Sequence, residues 1–165
     1  MQGHVVQINI SNGGVPKYPI PEAMITSQGV EGDKHAHPQI HGGPMQRVLL
    51  ITMEAIEELR MQGFALEAGS LGENITTRGI DRRKLRIGQQ FRIGQVVIEL
   101  TKVRAPCKQL DIYGEAIHKA VYDKAATKAN DTSSPTWAIS GFYASVVSPG
   151  AVRVGDPVLL LSESA

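Results

Sequence analysis

Glycine and proline punctuate this chain from end to end, cutting its apolar residues into segments of strand length. A chain cut this way cannot build a bundle of long helices, and many short strands with one or two helices predict a mainly β, α+β domain of barrel type. Residues 5–10 alternate loosely and stop at Ser11-Asn12-Gly13-Gly14, a turn cluster that ends a strand. Residues 23–26 read as a weak second strand and residues 48–51 as a buried one. A helix follows directly: Thr52 is placed to cap it, Glu54 lies in its first turn, Ile56 and Leu59 share a face, and Arg60 and Gly63 close it. Arg86-Ile87-Gly88-Gln89 is echoed by Arg92-Ile93-Gly94-Gln95. An echo seen once predicts hairpin geometry rather than a repeat architecture. Helical spacing returns at Ala116, Ile117, Ala120 and Val121, and residues 125–135 are small and polar, as in a mobile surface loop. Residues 142–147 and 152–161, separated by Ser148-Pro149-Gly150, predict a final pair of strands.

The 165 residues suit one domain spanning 1–165. A lone cysteine rules out an internal disulfide framework and fits a reducing compartment, so the cytoplasm is expected. The start lacks a basic segment followed by an apolar one, and no stretch approaches membrane-spanning length, so no membrane is expected. A formal net charge of +1 gives no global drive towards nucleic acid, and aromatic residues are sparse, so no nucleic-acid partner is expected. Anion binding, if present, must be local.

Three polar segments exceed what strands require. Cys107 follows an apolar run and stands between Arg104 and Lys108, which would favour its thiolate, a nucleophile and soft metal ligand. The alternative is a small buried hydrophobe. Residues 32–44 hold His35, His37 and His41 beside Gly42 and Gly43. Zinc would need a ligand geometry that Pro38 interrupts, whereas the glycine amides beside His41 suit an anion pocket, and a solvated turn is a third reading. Asp33 bonded to a loop amide would fit that turn equally well. In residues 69–77, Asn74 is able to donate and accept at once, either to a ligand or to a turn, with Glu73 then solvated.

Taken in order, residues 29–35, His41-Gly42-Gly43-Pro44, residues 72–80, Arg86-Ile87-Gly88, Arg104-Ala105-Pro106-Cys107 and Gly155-Asp156 resemble the MOSC domain, named from the C-terminal domain of molybdenum cofactor sulfurase. The resemblance runs through most of the chain and is closest to the small stand-alone bacterial members. One departure is Met45-Gln46-Arg47, where the family's basic residue stands one place earlier. A shift of one would turn that side chain to the opposite face of a strand, so Arg47 is not given the usual role.

The resemblance implies a barrel core and a molybdenum cofactor, a molybdopterin with Cys107 as protein ligand to the metal. It implies that His41, Gly42 and Gly43 line the cofactor pocket and that Asn74, Thr76 and Arg104 contact the pterin or its phosphate. It further implies a reductase of N-hydroxylated compounds such as hydroxylamino purines or amidoximes, serving detoxification. Cys107 would be joined in catalysis by His41 or Asp33 as proton carriers. No iron-sulfur, flavin or nicotinamide signature is visible, so electrons are expected from a partner reductase. The oligomeric state is not legible. Two other roles stay open: a sulfur carrier transferring a persulfide from Cys107, and a molybdenum cofactor carrier without turnover.

Overall fold

The computed structural model describes residues 1–35 and 43–163. Within them the elements run β1 (Gln2–Ile10), β2 (Tyr18–Ile20), β3 (Glu22–Thr26), β4 (Gly29–Val30), β5 (Val48–Thr52), α1 (Met53–Met61), β6 (Ile75–Arg78), β7 (Gln90–Ile93), β8 (Val96–Val103), α2 (Ile117–Val121), α3 (Lys124–Lys128), β9 (Phe142–Ser148), β10 (Gly150–Arg153) and β11 (Pro157–Ser162). Three short 3-10 turns, Pro44–Gln46, Arg82–Lys84 and Lys108–Tyr113, complete the described structure.

Hydrogen bonding passes from β11 through β7, β8, β9, β5 and β6 to β1, and β1 pairs again with β11. Seven strands therefore close on themselves, which removes free edges from that part of the sheet. The expected mainly β barrel is what forms. Its interior is apolar: Ile8, Leu50, Ile75, Ile93, Ile98, Leu100 and Phe142 are buried together. A separate sheet of β10, β3 and β4 adds Ile25, Val30 and Val152 to the same core.

The pair β5–β6 is parallel, and α1 lies in the crossover that a parallel pair requires. Thr52 caps this helix as expected, its hydroxyl accepting the Ala55 N–H at 3.2 Å. All five residues of β5 are buried, because one face looks into the barrel and the other meets a second apolar cluster of Ile51, Ile56, Leu59, Leu71, Leu110, Ile117 and Ile139.

Several expectations need correction. The glycine-rich echo makes only one hairpin, β7 to β8 around Gly94; its first copy is the approach to β7. Residues 125–135 are not wholly loop, since α3 runs through residue 128, capped by Asp123, whose carboxylate accepts the Ala126 N–H at 2.9 Å. The last strands do not pair with one another. After β9, which bonds β5 and β8, the chain crosses to the small sheet as β10 against β3 and returns as β11 between β7 and β1. None of the described helices is long and apolar enough to cross a membrane.

Candidate active site

A small open cleft lies where the chain after β1, the segment before β6 and the segment after β8 converge. The first contributes Gly14, Val15 and Lys17, the second Gly72 and Asn74, and the third Arg104, Cys107 and Gln109. Lys34, His35, Gln46, Leu49 and Tyr143 complete the lining.

The third segment carries the chemistry. Arg104 prolongs β8 by one bond, its N–H donating to the Gly141 carbonyl at 2.9 Å, and its own carbonyl accepts the Ser140 hydroxyl. Pro106 then prevents further pairing, and Cys107 precedes the 3-10 turn Lys108–Tyr113. Cys107 is a free, half-buried thiol. Arg104 is 4% exposed, and its Nη1 has no hydrogen-bond partner among the described residues. A guanidinium buried with an unsatisfied donor is costly, and an oxyanion in the cleft is the partner its chemistry calls for. The same guanidinium bonds the Tyr143 phenol, which burial pushes above its ordinary value against the opposing pull of Arg104. Tyr143 therefore remains an O–H donor throughout the neutral range.

The opposite wall is a buried polar network. Asp33 Oδ1 accepts the Ser11 N–H at 2.9 Å, while Oδ2 accepts from Lys17 Nζ and, at 2.8 Å, from Asn74 Nδ2. Both side chains of the Lys17–Asp33 ion pair are nearly enclosed, at 8% and 5% exposure. Asn74 also donates to the Asn9 carbonyl at 3.3 Å and accepts the Leu49 N–H at 3.0 Å, tying β1, β5 and the cleft together. One layer back, Thr76 donates to Glu73 Oε1 at 3.0 Å and accepts from Asn9 Nδ2 at 3.3 Å. Gly69 makes this layer possible. At φ +91 its N–H reaches Glu73 Oε1 at 2.6 Å, and a Cβ there would stand 2.4 Å from the Lys17 carbonyl.

The residues singled out by sequence separate accordingly. Cys107, Arg104 and Asn74 are brought together in the cleft lining. Thr76 is fully buried and does not line it. Asp33 stands beside the cleft with both oxygens engaged. Gly43 is exposed at the start of the 3-10 turn Pro44–Gln46, with open space where a Cβ would be. His41, Gly42 and His37 lie outside the described residues. Glu73 is a correction: expected in solvent, it is fully buried by the close approach of the loop containing Lys17.

Sequence reasoning missed Lys17 and Tyr143, and weighed His35 as a zinc ligand or a solvated turn residue. His35 lines the cleft, and burial, then the Lys17 charge, hold it below the ordinary imidazole value; Arg47 adds to this and Asp33 opposes it. It is therefore mostly neutral at pH 7. Among the described residues no cluster of three His, Cys, Asp or Glu side chains is placed to hold a metal. A site with one soft thiol beside an unsatisfied buried guanidinium fits instead a metal that arrives with its own anionic ligands.

A family model of the MOSC domain matches residues 37–159. Protein YiiM of Escherichia coli is 30% identical over 145 residues, covering 86% of this chain and 60% of that protein. YflK of Bacillus subtilis is 29% identical over 153 residues, covering 90% of this chain and 63% of that one. The chain thus spans less than two thirds of the length of both relatives. The crystal structure of E. coli YiiM superposes with a TM-score of 0.69 at 23% identity, covering 100% of this chain and 72% of that structure, and so shares the fold.

Proposed function

This chain belongs to the MOSC domain family, and from that premise we propose that it is a molybdenum-cofactor-dependent reductase of N-hydroxylated compounds, supplied with electrons by a partner reductase. The observation that carries the reading is the pairing, in one cleft, of the free thiol of Cys107 with the unsatisfied buried Nη1 of Arg104. Cys107 would ligate the metal through its thiolate, and Arg104 would grip an oxyanion of the pterin phosphate. When bound, the cofactor supplies the two-electron redox chemistry of the site.

The chain's own residues do the rest. Reduction breaks the N–O bond, consumes two electrons and two protons, and releases the amine and water. Tyr143 holds a proton on its phenol at the cleft wall, and neutral His35 is placed to accept or relay one. Asp33 and Asn74 act by fixing Lys17 and the cleft wall, and Thr76 supports that wall through Glu73.

Cofactor-loaded protein, kept from air and given a chemically reduced viologen as electron source, is expected to convert a hydroxylamino purine to the aminopurine, and Cys107→Ser to abolish conversion. Loaded protein that leaves the substrate intact would assign the chain to cofactor carriage instead. A persulfide trapped on Cys107 would assign it to sulfur transfer.

A further inference from the structure

Three lysines on three separate segments border the mouth of the cleft. Lys34 is an exposed residue of the lining, its N–H donating to the Ser11 carbonyl at 2.9 Å. Lys102 is exposed near the end of β8, with its Nζ 5.5 Å from the ring centre of Tyr143, a lining residue. Lys108 is exposed between the lining residues Cys107 and Gln109. None of the three meets a carboxylate within ion-pair distance among the described residues, whereas Arg60, Arg78, Arg83 and Arg153 are paired with Glu67, Glu57, Asp81 and Glu22. Among the described residues no carboxylate lines the cleft. Asp33 beside it is closed on Lys17, and Asp111 is closed on His118 at 2.5 Å. Glu31 lies towards the small sheet, its N–H donating to the Met24 carbonyl at 2.9 Å. Next to Lys102, the Thr101 hydroxyl donates to the carbonyl of Met45, whose residue is 55% exposed.

We infer that this lysine rim is the docking face of an acidic electron-transfer protein. The inference rests on the reductase reading, in which a partner must bring its redox group to a cleft whose thiol is half-buried. Per substrate that partner is oxidised by two electrons, and two protons from solvent join them to release the amine and water. Arg104 is buried and meets only what enters the cleft; the rim lysines present their charge to solvent, where it steers an approaching macromolecule. Rim charges act chiefly on the encounter, and Met45 supplies a short-range apolar contact, as suits a partner that must leave after each transfer.

The test is an amide NMR map of the native chain, without cofactor, titrated with an oxidised flavodoxin as the acidic redox protein. At about 20 mM salt, shifts are expected at Lys34, Met45, Thr101, Lys102 and Lys108, and at about 300 mM they are expected to vanish by screening. Lys102→Glu is expected to weaken the binding about fivefold, the scale of one rim charge reversed. Sulfate is the control for a small anion, expected to shift Arg104 and Cys107 rather than the rim. Shifts elsewhere on the chain, no shifts at low salt, or binding indifferent to Lys102→Glu would each overturn the docking face. So would sulfate or a thymidine oligonucleotide moving the same rim amides as strongly as flavodoxin does. Because the map needs no cofactor and the viologen assay needs no protein partner, failure of the docking face is distinguishable from failure of the reductase reading.

Discussion

Strands β1 and β6 bury two unlike interiors on their two faces. In their register Ile8 stands opposite Ile75, and both sit in the apolar barrel core; one place along, Gln7 stands opposite Thr76, and these with Asn9 face a hydrogen-bonded layer beneath the segment bearing Gly69 and Glu73. Because side chains alternate, a single residue separates the face that holds the fold from the face that builds the cleft wall. The inner face stabilises by removing hydrocarbon from water. The outer layer leaves Glu73 Oε2 without a partner among the described residues, as Arg104 Nη1 is in the cleft, and a buried polar atom left so is costly.

The comparison is broken most severely at the ion pair. Asp33→Ala leaves Lys17 buried without a counter-charge and is expected to lower unfolding stability by about 3–5 kcal/mol, read as a shift in the urea midpoint. Next comes the adjacent pair of positions on β6. Ile75→Ala is expected to cost about 2–5 kcal/mol by opening a cavity in the barrel, with sulfate binding in the cleft retained. Thr76→Val keeps the volume but strips partners from Asn9 and Glu73, and is expected to cost about 1–3 kcal/mol while changing sulfate affinity. Equal effects of the two on binding would mean that the faces are not separate.

A pH series sharpens the contrast further. Burial holds the Glu73 carboxyl above the ordinary glutamate value, against hydrogen bonds from Gly69 N–H, its own N–H and Thr76 and the Arg104 charge. Its folded form therefore binds a proton more tightly than its unfolded form. The stability it contributes is full below the unfolded value of about 4.3 and is lost as pH rises through the folded value. Glu73→Gln is accordingly expected to be more stable than the native chain at neutral pH and to lose that advantage in acid, as measured by thermal unfolding. The smallest effect belongs to the exposed pair Arg153–Glu22, where Glu22→Ala is expected to change stability by less than about 1 kcal/mol.

The barrel strands and α1 were legible because their signals are local: alternation in residues 5–10, continuous burial in 48–51, and the Thr52 cap. The destinations of β10 and β11 were not, because a turn at Ser148-Pro149-Gly150 suits a hairpin and a sheet crossing equally, and long-range pairing decides between them. α3 was hidden by its short, small-residue composition. In the site, Arg104 and Cys107 stood out because charge, proline and sulfur fall together in sequence. Lys17 and Glu73 did not, since a charged residue is buried only by partners that arrive from elsewhere, here Asp33 and the loop that closes over Gly69. Tyr143 read simply as a strand residue, and its place in the cleft lining with Arg104 sets it apart.

The most direct test is the molybdenum and pterin content of protein purified without air from a host that makes the cofactor, with Cys107→Ser prepared alongside. About one molybdenum per chain in the native protein, lost in a variant that still unfolds cooperatively, is the predicted result. Equal metal in both would contradict the thiolate ligand, and no metal in either, beside a loaded control enzyme from the same host, would contradict the cofactor site itself.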